Sequence, residues 1–131
     1  MILIVDIGNT NITIGLFKGD KLRFKENFPT SKAQGFGVFL RGIAVLKSAV
    51  EAAVICSVVP KATTLIKKAV AGLGHIPIYV LGRGLAVPIK NRYGRPEEVG
   101  QDRLVCAWAA MRLYGAPVIV VDSGTAITFD A

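Results

Sequence analysis

The order of apolar and polar positions divides the chain into short strands first and helices later. Residues 1–8 read as a buried strand, and residues 11–18 as a second one with alternating character. Gly19-Asp20 makes a tight turn into residues 21–28, a third strand, so the opening is an antiparallel meander. Thr30 or Ser31 then caps a helical segment running to about residue 48, although Gly35, Gly37 and Gly42 lower its propensity. Residues 52–59 are β-rich with almost no polar relief, as expected of a strand covered on both faces. Pro60 suits a first helical position, and residues 61–71 continue as a helix with Leu65, Ala69 and Gly72 on one side and Lys67 and Lys68 on another. Gly72 and Gly74 stop it, and residues 76–81 form another strand. A loop over 82–96 is long enough to be functional.

The next helix starts around Glu97 and Glu98, carries Arg112 in its last turn and stops at Gly115 before Pro117. Leu104, Trp108 and Met111 recur at helical spacing, which predicts a core face. Asp102, near the start of that helix, sits where the helix dipole favours a carboxylate, and this suits a general base taking a proton from an alcohol. Taken alone, this segment favours an acid that merely stabilises the helix start. Residues 117–130 form a last strand pair that would leave an apolar face and a sheet edge uncovered, so a longer protein or a partner is expected to complete it.

One phrase occurs twice. Val5-Asp6-Ile7-Gly8-Asn9-Thr10 and Val121-Asp122-Ser123-Gly124-Thr125 both place an acid at a strand end, a Gly two residues on, then Asn or Thr, then a second strand. An Asp there can hold a hydrated cation, and the Gly lets backbone N–H groups approach a phosphate. Asn9, Thr10 and Thr125 add short donors that orient phosphoryl oxygens. A plain hairpin whose turn residues satisfy their own backbone is the alternative.

Composition narrows the class. With 131 residues, 52% hydrophobic and 19% charged, the chain suits one domain with a buried α/β core rather than disorder. The longest apolar run, 43–60, is interrupted by Lys47 and Glu51, so no membrane span is expected. No basic leader precedes Asp6, so the chain reads as cytoplasmic. Cys56 and Cys106 lie in apolar stretches and read as buried thiols, while His75 reads as a loop residue. With His75 the only histidine, a His-rich zinc site is not expected within the chain. The charge of +7 is scattered, which favours a solvated surface over a nucleic-acid face; its nearest approach to a cluster is Lys90-Asn91-Arg92-Tyr93-Gly94-Arg95.

Three motifs in this order, Asp6-Ile7-Gly8-Asn9-Thr10-Asn11, Gly100-Gln101-Asp102-Arg103 and Asp122-Ser123-Gly124-Thr125-Ala126-Ile127-Thr128-Phe129-Asp130, resemble the N-terminal half of type III pantothenate kinases. Ser57-Val58-Val59-Pro60 agrees with them, and the resemblance covers essentially the whole chain. The family belongs to the superfamily of acetate kinases, sugar kinases, heat-shock chaperones and actin. The resemblance implies an α/β fold of ribonuclease-H-like lobes, with a mixed sheet and flanking helices over 1–115 and the first hairpin of a truncated second lobe over 116–131. It implies ATP in the cleft between lobes and transfer of its γ-phosphoryl to the primary hydroxyl of pantothenate, the first step towards coenzyme A. Asp6, Ile7, Gly8, Asn9, Thr10, Asn11, Ile12 and Thr13 would form the first phosphate turn and Thr125 the second. Asp102 would be the proton acceptor, and Asp122 would hold a monovalent cation (K+ or NH4+) that acts beside Mg2+. Tyr93, Gly100, Gln101, Asp102 and Arg103 would hold pantothenate, with Arg103 suited to its carboxylate.

The chemistry agrees, since phosphoryl transfer needs positioning and charge neutralisation more than covalent catalysis. Thr13 stands where the family often has a basic residue, Gln101 where Ala is more usual, and Ser123 where a larger apolar residue is common. A lone copy is expected to bind ATP poorly and turn over little, because in that family the second lobe brings adenosine contacts and, across a homodimer interface, further pantothenate contacts. A non-catalytic regulator of transcription related to these kinases is the alternative; retention of Asp6, Asp102 and Asp122 argues against it. A different sugar or acetate kinase would share the phosphate turns but not Gly-x-Asp-Arg.

Overall fold

The computed structural model describes residues 1–43, 50–124 and 126–131. Its strands are β1 (Ile2–Ile7), β2 (Asn11–Lys18), β3 (Lys21–Pro29), β4 (Ala52–Ser57), β5 (Ile78–Leu81), β6 (Gly84–Leu85), β7 (Val120–Ser123) and β8 (Ile127–Asp130). The helices are α1 (Phe36–Gly42), α2 (Pro60–Ala71) and α3 (Gln101–Tyr114). Six strands make one mixed sheet in the order β3-β2-β1-β4-β5-β6, and β7 and β8 make a separate antiparallel pair. The meander β1-β2-β3 is antiparallel, while β1, β4, β5 and β6 run parallel.

Alternation along β1 divides the two sides of this sheet. Leu3, Val5 and Ile7 are fully buried and face Leu16, Ile14 and Ile12 across the β1–β2 ladder. Phe36 and Leu40 of α1 and Ala62, Ile66 and Val70 of α2 cover them. Phe28 joins this core through an edge-on contact with Phe36, ring centroids 5.6 Å apart, and a tilted contact with Phe39 at 4.7 Å. The other parity, Ile4 and Asp6 with Val54 and Cys56 beside them on β4, faces α3 across a cleft of about 470 Å³.

Several expectations need correction. The helix expected from residue 30 begins as a 3-10 turn, Thr30–Gly35, that is broken at Lys32. α1 then ends at Gly42, because Ile43 is extended; residues 44–48 lie outside the described residues. On α2 the buried stripe is Ala62, Ile66 and Val70 at i, i+4, i+8, and Leu65 is 42% exposed. Glu97 and Glu98 lie in a 3-10 turn, Pro96–Glu98, ahead of α3 rather than within it. Leu104, Trp108 and Met111 form no buried core face, because α3 leaves the cleft between itself and the sheet open and buries no residue fully. Cys106 is exposed for the same reason, whereas Cys56 on β4 is buried and His75 is an exposed bend residue, both as expected.

The corrected α2 stripe predicts unequal costs for two neighbouring substitutions. Ile66→Ala should lower unfolding stability by about 2–5 kcal/mol, while Leu65→Ala stays within about 0.5–1 kcal/mol. Urea denaturation measures both, and equal losses would contradict this packing.

Candidate phosphoryl-transfer site

The turn expected to hold phosphate is a compact connection between β1 and β2. Gly8 N–H donates to the Asn11 carbonyl at 2.9 Å, and a Cβ on Gly8 would lie only 3.3 Å from that oxygen. Ile7 and Ile12 are fully buried, so only their backbone can serve a ligand; Asn9, Thr10 and Asn11 are exposed at the tip. Thr30 braces the turn from outside. Its hydroxyl donates to the Gly8 carbonyl at 2.8 Å and its N–H to the Thr10 carbonyl at 2.9 Å, so it makes no helix cap. Sequence reasoning missed this role, since an isolated Thr before a helix reads as a cap.

The second hairpin repeats the first. Gly124 N–H donates to the Ala126 carbonyl at 3.0 Å, and Asp122 lies opposite Thr128 as Asp6 lies opposite Thr13. Thr128 Oγ1 is buried without a hydrogen-bond partner among the described residues. Thr125 lies outside the described residues. Thr13 donates to Asn27 Oδ1 at 2.9 Å on the neighbouring strand.

Asp102 comes from a third element. It occupies the first turn of α3, whose N-cap is Gly100, and its Oδ1 accepts the Arg103 N–H at 2.9 Å. A Cβ on Gly100 would collide with that carboxylate and come within 3.3 Å of Val58, so a side chain at 100 must displace the acid. Val58 itself is held by its N–H to the Ile7 carbonyl at 3.1 Å, which ties the start of α3 to the phosphate turn. Gln101 packs its amide against Gly82, which has φ +75 and no room for a side chain. A cleft of about 650 Å³ lies between these parts, lined among others by Asn9, Ser57, Arg83, Gln101 and Asp102.

Asp6 feels the other two acids. Asp6 keeps an exposed side chain yet is pushed above the usual carboxylate range, chiefly by partial withdrawal from water, then by Asp102; a hydrogen bond from the Cys56 thiol works against this, and Asp122 adds to the rise. Burial and the Asp6 and Asp102 carboxylates push the Cys56 thiol up to about 12, so it stays protonated at neutral pH. Cys106, one turn along α3 from Asp102, is raised by partial burial and by Asp122, Asp102 and Asp6. Two hairpins and a helix therefore concentrate negative charge on one region. Among the described residues no three acidic, His or Cys side chains form a complete metal-ligand set. Hard carboxylate oxygens in such a field suit a cation that keeps water or phosphate oxygens as further ligands.

Arg103 and Tyr93 open into a second, smaller hollow of about 340 Å³, lined also by Lys90, Asn91, Arg92 and Asp130. Asn91 shapes this loop: its amide donates to the Pro96 carbonyl at 3.1 Å and its Oδ1 accepts the Tyr93 N–H at 3.0 Å. Arg103 lines both the hollow and the larger cleft. Gly100, Gln101 and Asp102 therefore face the cleft, Tyr93 faces the hollow, and Arg103 joins the two.

A mixed sheet opened by an antiparallel meander, with an acid beside a glycine turn, matches a lobe of the actin-like ATPase class. The model of the family described as type III pantothenate kinase matches residues 2–131, and the chain belongs to that family. It is 41% identical to a type III pantothenate kinase of Finegoldia magna, over 99% of this chain and 52% of that protein. With those of Moorella thermoacetica and Rubrobacter xylanophilus it shares 39% identity, over 100% and 98% of this chain and 54% and 51% of theirs. The chain thus spans about half the length of the curated relatives it matches.

The desolvation of Asp6 and its repulsion by Asp102 have a consequence for stability. An acid with a raised folded pKa binds more protons folded than unfolded, so stability falls as pH rises from about 4, its unfolded value, through the raised folded one. Above that window the deficit persists. Asp6→Asn should therefore raise the thermal midpoint at pH 7 in metal-free buffer, with the gain fading towards pH 4 and below. A lower midpoint at pH 7 would contradict it.

Proposed function

We propose that this chain supplies the phosphate turns and the acceptor site of an ATP-dependent pantothenate kinase, which forms 4'-phosphopantothenate at the first step towards coenzyme A. The observation that carries this reading is that Asp6, at a glycine turn, and Asp102, at a helix start, line one cleft, while Asp122 stands at a second glycine turn of matching register. Family membership supports it independently.

In this reading the turn over residues 6–13, together with Thr125, cradles the ATP phosphates. The primary hydroxyl of pantothenate attacks the γ-phosphorus, the bond to the β–γ bridging oxygen breaks, and ADP leaves. Asp102 accepts the hydroxyl proton, with Gly100 leaving space for its carboxylate. Asp122 would hold the monovalent cation (K+ or NH4+), Asp6 would serve Mg2+ beside the phosphates, and the Thr128 hydroxyl opposite Asp122 would offer a further oxygen. Such cations neutralise phosphate charge as it redistributes in the transition state. Tyr93, Gln101 and Arg103 orient pantothenate, with its carboxylate towards the cationic hollow.

The same reading assigns residues 1–115 to a first lobe and 116–131 to the start of a second, in a cytoplasmic homodimer whose remaining half brings adenosine contacts. The structural basis for a second half is the exposure of Val121, Ile127 and Phe129 on the hairpin. No helix among the described residues is long and apolar enough to cross a membrane. A transcriptional regulator would have no use for the repulsion stored among three acids, and nothing in the geometry favours it.

Mass-spectrometric detection of phosphopantothenate from Mg-ATP, pantothenate and K+ or NH4+ tests the reading on a protein extended through the second lobe. Asp102→Asn should lower kcat at least about 100-fold, and Gly100→Ala should lower it through displacement of the same carboxylate. Absence of product from the extended parent, or full activity of Asp102→Asn, would refute the assignment.

A further inference from the structure

The guanidinium of Arg103 is not a free recognition group. Nε donates to Asp130 Oδ2 at 3.1 Å and Nη2 to Asp130 Oδ1 at 2.6 Å, a side-on bidentate pair. Nη2 also donates to the Phe129 carbonyl at 3.3 Å. Of the five N–H groups of an arginine, three are thus committed, and the two on Nη1 have no partner among the described residues. The pair is largely withdrawn from water, with side chains 27% and 19% exposed. It opens into the hollow that also carries Tyr93, Lys90 and Arg92, where cations outnumber the single acid.

We propose that Asp130 is a positioning residue for acceptor recognition: it holds the Nε–Nη2 edge of Arg103 and so reserves the Nη1 edge for the substrate carboxylate. This rests on the kinase reading above. Held on one edge, the arginine loses little side-chain freedom when the carboxylate arrives, so the hydrogen bonds it forms cost less to order. The tie acts on the reaction centre as well. Arg103 follows Asp102 directly on α3, and Asp130 lies opposite Val120, two residues before Asp122 on β7. One ion pair therefore fixes both the carboxylate end of the acceptor and the distance between two of the three acids.

The test compares pantothenate with its alcohol analogue, in which a hydroxymethyl group replaces the carboxylate, using the protein extended through the second lobe. Asp130→Asn should lower the ratio of kcat/KM for pantothenate to that for the alcohol about tenfold, mainly through the KM for pantothenate. Asp130→Glu should recover part of the ratio. An unchanged ratio, or an equal loss with both acceptors, would overturn the positioning role while leaving the kinase reading intact. A parent silent with both acceptors would overturn that reading and this proposal together. A measurement on the parent alone guards against misfolded variants: the Arg103 Nε–H resonance, assigned by its loss in Arg103→Lys, should persist when pantothenate is added. Its disappearance would show Asp130 displaced by substrate and would defeat the proposal.

Discussion

The parity of β1 is the constraint on which the rest depends. Leu3, Val5 and Ile7 must face one way to be buried beneath α1 and α2, and a strand then turns Asp6 the other way without further design. A slip of one residue would bury the carboxylate and expose three core side chains, so the apolar core itself enforces the placement of the acid. Pairing on both sides, antiparallel with β2 and parallel with β4, leaves β1 no edge along which to shift. The glycine turn after it is held by Thr30 and, through Val58, is linked to the start of α3.

This arrangement stores repulsion where chemistry is proposed. Asp6 would be easier to accommodate as an amide, yet in the proposed function the carboxylate is what would draw a cation and its phosphates to the region. Part of the protein's stability is thereby traded for a field that a bound cation would relieve. The Arg103–Asp130 pair is of another kind. It neutralises itself, and its contribution is orientation rather than charge.

How far the sequence foretold this varied with the kind of signal. Strands were legible because each apolar run was short and bounded by turn residues, and the repeated acid–glycine phrase did correspond to two hairpins with matching registers. The face of α2 was misjudged since Leu65 and Ile66 are both apolar, and choosing between neighbours needs the direction of the sheet beneath. Trp108 and its helical companions had the spacing of a core stripe, but spacing cannot reveal whether anything packs over it; here a cleft remains. Thr30 and Asp130 were invisible for a different reason. Their partners lie 22 and 27 residues away in the chain, and only the fold creates those contacts.

Cation binding reaches the central claim most directly, because that claim is that separate hairpins deliver their acids to one ATP-dependent site. Electron paramagnetic resonance of Mn2+ in the presence of ATP, on the protein extended through the second lobe, would measure it. The account predicts that Asp6→Asn and Asp122→Asn each weaken Mn2+ binding by about tenfold or more, a loss of at least ~1.4 kcal/mol. Unchanged Mn2+ affinity in both variants would contradict it.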